Sequence, residues 1–271
     1  LDQAAIRRRN FLPPDAFPYA TPSGEQYDCG RFADILDRAL DLSDWNGFAE
    51  RRAQSESAGR LRGRGLTSFI EWTGAGAFTE QVAVHMRADG LATSYAQLVA
   101  GALDLPIGAI NVVQGDTDTV NGIGSVASRS LFVGGPAAVA GSETALARAR
   151  ELAADALETA ATDLEYRAGR FTVAGTDRTV GLFELAAREP AGLIAVDLRH
   201  TVEGASWPNG CHIAEVEIDP ETGVVRVGRY TAVDDVGTVV NPLIVEGQAH
   251  GGLAQGIGQA LLERTVYDTA G

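Results

Sequence analysis

Lysine is absent from this 271-residue chain: all 22 basic residues are arginine, set against 36 Asp and Glu, giving a formal net charge of −14 and a pI of about 4.7. That acidic balance repels phosphate backbones and anionic lipid, so neither nucleic acid nor a membrane is an expected partner. The preference for arginine reads as a GC-rich coding bias. Cysteine is scarce. Cys29 and Cys211 are too few for an iron–sulfur cluster, which takes four thiolates, and too far apart for a CxxC motif. Free thiols of a cytoplasmic protein are the expectation. No apolar run approaches the roughly 18 residues of a spanning helix, and no signal-peptide pattern is visible. The histidines, His85, His200, His212 and His250, follow no standard ligand spacing, so no protein-ligated metal is expected. A G-x-S-x-G nucleophile elbow and a P-loop are also missing. Methionine occurs once, at Met86, and Leu1 stands inside a helical stretch, which points to a piece of a longer chain.

What is present is ordinary globular texture, with 45% hydrophobic and 21% charged residues, enough for one large or two modest domains. Residues 1–60 are polar and arginine-rich, broken by Pro13, Pro14 and Pro18, and read as an arm wrapping a core that runs from 61 to 271. Within the arm, Phe32, Ile35, Leu36 and Leu40 predict a helix over Arg31–Leu42. Short apolar runs predict strands at Leu66–Trp72, Gln81–Arg87, Ala109–Gln114, Arg170–Ala174 and Leu193–Leu198. Helices are expected over Ala92–Leu103 and the alanine-rich Ala137–Ala161. Ile213–Ile218 and Val224–Val233 flank Asp219-Pro220-Glu221-Thr222-Gly223, a hairpin with turn chemistry at its tip. A helix with a small-residue face follows over Leu243–Glu263. Without a strict βαβ rhythm, the fold class is α+β (mixed α/β). One junction is anomalous: Ala88-Asp89-Gly90 should launch a return strand, yet Leu91 starts a helix at once. A segment missing between Gly90 and Leu91 is expected.

Two stretches carry chemistry. Gly115–Ser130 is rich in Gly and Ser between a strand and a helix, where backbone N–H groups and the Ser128 and Ser130 hydroxyls can meet an anion. A polar connection ending in a capped helix is the plainer alternative. Gly122-Ile123-Gly124-Ser125-Val126-Ala127 matches G-x-G-x-x-A, but Gly115–Asn121 separates it from the strand and no acidic strand end follows, which argues against a nicotinamide site. The second stretch, Glu246–Gln259, spaces Gly closely along a helix and offers amides such as Gln255, able to donate and accept at a heterocycle edge. Simple helix packing is its alternative. Asp234-Asp235 reads as a turn or cap rather than a base pair of carboxylates.

Together these segments resemble the molybdopterin-binding large subunit of the xanthine dehydrogenase/aldehyde oxidase/carbon monoxide dehydrogenase family. The resemblance runs through Ile6-Arg7-Arg8-Arg9-Asn10-Phe11, Tyr27-Asp28-Cys29-Gly30, Gly115-Asp116-Thr117, Ser128-Arg129-Ser130, Ala214–Gly223 and Glu246–Gly258, and is strongest at Trp207-Pro208-Asn209-Gly210-Cys211-His212. It implies the molybdopterin-binding domain of a molybdenum hydroxylase. Such enzymes hydroxylate an aldehyde or N-heteroaromatic carbon with water-derived oxygen, and carbon monoxide dehydrogenase is the nearest variant. A non-catalytic module of the same fold is the rival reading. By the resemblance, Ser128, Ser130 and Ala127 match positions at the pterin or its phosphate, and Gln255 and Gln248 match the cofactor-binding helix. Trp72 and Thr73, within Glu71-Trp72-Thr73-Gly74, line the substrate pocket. The cofactor implied is molybdopterin cytosine dinucleotide with molybdenum. The 2Fe–2S clusters and FAD sit on an iron–sulfur small subunit and an FAD-binding medium subunit, in a cytoplasmic complex that can pair as a homodimer of heterotrimers. The family's catalytic glutamate is expected beyond Gly271; Glu246 and Glu263 do not occupy its motif. The family's return strand and its turn are expected where Gly90 meets Leu91.

Overall fold

The computed structural model describes residues 2–74, 78–85, 94–113, 116, 118 and 125–271. The chain divides into two compact units, one made of residues 1–72 and 207–271 and the other of residues 73–206. The fold is mixed helix and sheet, as the sequence predicts.

In the first unit, α1 (Gln3–Asn10), the short pair β1 (Tyr19–Ala20) and β2 (Gln26–Tyr27), α2 (Phe32–Leu42) and α3 (Phe48–Ser57) precede β3 (Leu61–Ile70). The helix predicted at Arg31–Leu42 is therefore present, whereas α3, polar along most of its length, carries no apolar stripe that would have announced it. The second unit contains β4 (Phe78–His85), α4 (Ser94–Ala102), α5 (Arg129–Ala156), β5 (Leu164–Arg167), β6 (Arg170–Val173), β7 (Thr179–Gly181), α6 (Leu182–Arg188) and β8 (Ala195–Val202). The chain then returns to the first unit through β9 (Asn209–Ile218), β10 (Val225–Asp235) and α7 (Pro242–Leu261).

The predicted hairpin is β9–β10, with Ile218 opposite Val225. Asp219 holds its tip: Oδ1 accepts from Glu221 N at 3.0 Å, and its carbonyl accepts from Gly223, whose φ of +73° suits glycine. β3 joins the other edge of β9 in antiparallel register, Leu66 against Ile213 and Ser68 against Cys211. Alternation puts Leu66, Cys211 and Ile213 on one face, where they pack with Leu36 and Ala39 of α2 and Ala4 of α1.

Glu215 shares that inner face and is 1% exposed. Arg51 from α3 and Arg62 from β3 converge on it: Arg51 Nε lies 3.1 Å and Arg62 Nη1 3.2 Å from Oε2, while Arg51 Nη2 takes Oε1. Arg62 also donates to Ser55 Oγ at 2.8 Å and to Glu217 at 3.2 Å, and Ser55 Oγ donates to Glu217 at 2.7 Å. Burial pushes the Glu215 carboxyl up, but the hydrogen bonds and charge of Arg51 and Arg62 overcome it and hold the group below its ordinary value.

In the second unit β4 pairs with β8, Phe78 opposite Val202 and His85 opposite Ala195, and α5 packs across both. Ala145, Ala149 and Ala153, one turn apart along α5, form a core with Phe171, Val180, Leu182 and Leu185 from the β5–β6–β7 sheet and α6.

Three expectations are corrected. Ala109–Gln114 is not a strand among the described residues: a 3-10 turn covers Ile107–Ala109, and Ile110 is buried against Ala96 and Ala100 of α4 without a ladder partner. Burial on a helix mimics a strand's apolar run. The helix predicted at Ala137–Ala161 starts at Arg129, because Gly134-Gly135-Pro136, which reads as a break, is accommodated inside it. It ends at Ala156, with Glu158 in a left-handed turn at φ +46°. The strand predicted from Leu193 begins at Ala195, while Ile194 sinks into the core at 1% exposure. The Ala88–Gly90 turn, the Gly90–Leu91 junction and Gly122–Gly124 lie outside the described residues.

Removing the carboxylate in Glu215→Ala takes from Arg51 and Arg62 their shared buried partner and leaves them only Asp44 and Glu217 at its edge, and a loss of about 3 kcal/mol in unfolding free energy is expected by urea titration. Because the folded-state pKa of Glu215 is lowered, its contribution is complete above the ordinary carboxylate range. It fades as the pH falls through the folded value, so wild type and variant converge in acid.

Candidate functional site

The turn into α5 gathers the second unit's candidate residues. Ala127 and Ser128 both adopt the left-handed region, at φ +48° and +55°, which side chains enter at a cost of order 1–3 kcal/mol. Ser128 is the N-cap of a 28-residue helix, yet its hydroxyl makes no capping hydrogen bond. A serine at that position ordinarily satisfies an N–H of the first turn. Here, with the backbone in the left-handed region, the hydroxyl makes no such bond; Arg129 N donates to Val126 O at 3.0 Å instead, and the donors that follow get no bond from Ser128. Two residues on, Ser130 Oγ lies 2.6 Å from Ser125 Oγ, and both side chains are exposed. Arg129 between them is 2% exposed, so alternation around the turn sends its guanidinium inward and the two serines outward.

The 71–74 segment is tied to this turn. Thr73 exchanges backbone hydrogen bonds with Ser206 at 3.0 and 3.2 Å, and Gly74 N donates to Ala127 O at 3.1 Å. Gly74 has φ +93°, and a Cβ there would come within 2.5 Å of the Phe132 ring on α5, so glycine is needed for both conformation and space. Thr73 is 6% exposed, and its Oγ1 is buried with no partner among the described residues. Thr73, Gly74, Ala127, Ser128 and Ser130 are therefore brought together. Trp72, one residue before this group, is 43% exposed.

Gln248 and Gln255 belong to the first unit. Asn241 caps α7 by accepting from Ile244 N at 3.2 Å, and Pro242 opens the helix. Seven residues is almost two turns, so the two amides share a face, and both are exposed. No residue of α7 is buried, and Gly247, Gly251, Gly252 and Gly256 have open space where a Cβ would stand.

The Trp207–His212 run is spent on architecture. Trp207 Nε1 donates to Gln26 O at 2.7 Å and its ring packs on Tyr27 at 4.6 Å, so two segments far apart in sequence meet. Pro208 O accepts from Glu71 N at 2.8 Å. Gly210 lacks a Cβ where one would overlap the Asp234 carboxylate and the Phe69 ring. That space lets Asp234 reach His212 Nε2 at 2.9 Å, while Nδ1 meets Tyr230 Oη at 3.1 Å. Asp235 accepts from Gly237 N at 3.0 Å, a turn role as predicted. Cys211 is buried and its thiol is pushed up by that burial; Cys29 is exposed.

Tyr95 and Phe132 were invisible to motif reasoning. Tyr95 Oη donates to Ser130 O at 2.6 Å, and only the missing side chain of Gly134 leaves it room. The Gly134-Gly135 pair, costly in a helix, was the available signal. Among the described residues no helix is long and apolar enough to cross a membrane.

Comparison with known proteins follows the same outline. The profile of the molybdopterin cofactor-binding domain matches residues 38–271. The carbon monoxide dehydrogenase large chain of Hydrogenophaga pseudoflava is 33% identical, aligned over all of this chain and 38% of its own length. The nicotine 6-hydroxylase large subunit of Paenarthrobacter nicotinovorans is 28% identical over 98% of this chain and 37% of its own. The crystal structure of quinoline 2-oxidoreductase from Pseudomonas putida 86 superposes with a TM-score of 0.86 at 29% identity, covering 99% of this chain and 39% of that one. The chain thus spans under two-fifths of the length of these relatives. The first alignment runs over 308 positions against 271 residues here, so that relative carries residues this chain lacks.

Gly74→Ala should lower stability by roughly 1–3 kcal/mol through positive φ and overlap with Phe132. Thermal unfolding measures it, and Gly175→Ala, at φ +73° with open space, separates the strain from the overlap.

Proposed function

Because the chain belongs to the molybdopterin cofactor-binding domain family, we propose that it is part of the large subunit of a molybdenum hydroxylase and that the turn into α5 grips the cofactor's phosphate. The observation that carries this reading is Ser128, an N-cap serine that does not cap, at the start of a 28-residue helix in which Arg129 N is taken by Val126 O and the N–H groups of the next residues receive nothing from the serine. The residues fit such a group. Ser128 and Ser130 supply hydroxyls, the first turn of α5 supplies N–H donors, and the left-handed Ala127 shapes the backbone to face an anion. Thr73 Oγ1, buried without a partner among the described residues, is a further polar atom beside Gly74. On α7, Gln248 and Gln255 offer amides that can donate and accept at a heterocycle edge.

When bound, the cofactor supplies the oxygen-transfer and two-electron chemistry; the chain's residues bind it, orient it and shape the approach to it. The exposed indole of Trp72 offers a flat apolar wall for a planar substrate, and Thr73, next in sequence, is the other residue we assign to the pocket. The substrate class we favour is an aldehyde or an N-heteroaromatic carbon, in keeping with relatives named for nicotine and quinoline. Similarity to carbon monoxide dehydrogenase large chains supports carbon monoxide as the second reading. The cofactor form is the cytosine dinucleotide. Electrons leave through an iron–sulfur small subunit and an FAD-binding medium subunit in a cytoplasmic complex, two copies of which can pair. The general base comes from the longer subunit outside these 271 residues. The extra residues that the alignment requires of the relative we assign to the junction of Gly90 and Leu91, where the hairpin turn is interrupted.

Molybdenum and acid-released CMP, measured per large subunit in the assembled complex, test the proposal. Near-stoichiometric amounts are expected, and their absence from a correctly matured complex would favour a non-catalytic module. The double variant Ser128→Ala/Ser130→Ala should lower both contents at least tenfold, since a hydrogen bond to a charged group contributes roughly 1.5–3 kcal/mol. Unchanged contents would remove the serines from the site. Trp72→Ala should shift the ratio of kcat/KM between a bulky and a small substrate while molybdenum stays bound, and an unaltered ratio places the indole outside the pocket.

A further inference from the structure

The start of α5 is held from behind by a residue that no motif identifies. Tyr95, in the first turn of α4, donates its phenol to the carbonyl of Ser130 at 2.6 Å. Two glycines make the contact possible. At Gly134 a Cβ would lie 2.6 Å from Tyr95 Oη, and at Gly135 one would lie 3.3 Å from a Leu98 methyl, so α4 can lie close against α5. Glycine in a helix interior costs about 1 kcal/mol relative to alanine, and two in succession before Pro136 mark a place where close approach outweighs helix propensity.

The carbonyl that Tyr95 engages belongs to the same peptide unit as the N–H of Leu131. With Ser128 as N-cap, that N–H is in the first turn, among the donors the helix itself leaves open. A carbonyl oxygen has two lone pairs, so Ser130 can accept from the phenol without surrendering a helical bond. Donation into C=O draws electron density toward oxygen and makes the N–H at the other end of the amide a stronger donor. The phenol also pins the backbone from which the Ser130 hydroxyl projects.

We propose that Tyr95 is the positioning residue of the cofactor-phosphate grip, polarising and fixing the Ser130–Leu131 peptide so that its N–H and the adjacent serine hydroxyls face the anion. This rests on the phosphate-binding reading of the α5 turn. Tyr95 does not itself touch the ligand.

The test uses the assembled complex, with two readouts: the rate at which CMP-bearing cofactor is lost on dilution, and the melting temperature of cofactor-free protein. Tyr95→Phe keeps the ring and removes the hydrogen bond to Ser130 O, so cofactor loss should quicken about threefold to tenfold while the cofactor-free melting temperature holds. Gly134→Ala displaces the phenol by a different route and raises helix propensity. It should quicken cofactor loss without lowering the melting temperature, and adding Tyr95→Phe to it should cause no further loss. A melting temperature that falls in step with retention, or retention unchanged in both variants, overturns the positioning role. If Ser128→Ala/Ser130→Ala lowers cofactor content while Tyr95→Phe leaves the loss rate unchanged, only this inference fails. If the double serine variant also leaves content unchanged, the phosphate-binding reading fails with it.

Discussion

A single buried carboxylate organises the first unit. Glu215 has no water to solvate it, so its charge is tolerable only while Arg51 and Arg62 both reach it. Those two arginines come from a helix and a strand, and meeting at Glu215 fixes α3 against β3 and β9. The same guanidinium groups branch outward. Arg51 continues to the carbonyl of Asp44 at 2.9 Å, and Arg62 to Ser55 and Glu217. Arg229 closes the far side on Ser43 O at 2.8 Å. Arginine suits this duty because its planar fork serves two acceptors at once. An all-arginine composition that looks like coding bias thus performs structural work in this cluster.

The β9–β10 hairpin and α2 were legible because each rests on local pattern: Asp219 to Gly223 dictate a turn, and Phe32, Ile35, Leu36 and Leu40 recur at helical spacing. What misled or stayed silent depended on contacts made far along the chain. Ile110 looks like strand because it is apolar, yet its partners are alanines of α4. Gly134-Gly135-Pro136 looks like a break because intrinsic propensity cannot anticipate Tyr95 and Leu98 lying against it. The site divides in the same manner. Ser128 and Ser130 stand out by type and position, but that Ser128 fails to cap its own helix follows from φ +55°, a backbone value that serine's identity does not specify. Thr73 reads as part of a pocket-lining run, and only burial reveals an Oγ1 without a partner. In the Trp207–His212 run, the most recognisable stretch of sequence, Trp207, Pro208, Gly210, Cys211 and His212 make scaffold contacts within the first unit.

The two units use small residues for opposite ends. In the second, the alanines of α5 bring a helix close to a core, as their burial attests. In the first, the glycines of α7 leave a helix face bare, with nothing near the positions where side chains would stand. Closeness to a neighbour and openness to a ligand come from the same absence of side chain, and only the surroundings distinguish them.

Pro136 gives α5 an uneven resistance to opening. It has no N–H to offer Phe132 O, and two glycines precede it, so the turns before it are held by fewer backbone bonds than those after. Beyond it, Ala145, Ala149 and Ala153 are fully buried in the core, and the helical ladder around them is uninterrupted. The turn before Pro136 thus lacks one bond of the helical ladder, and burial of Arg129, Val133 and Gly135 holds it in place. One helix carries the serine-bearing turn on one side of an interrupted rung and the alanines of a core on the other.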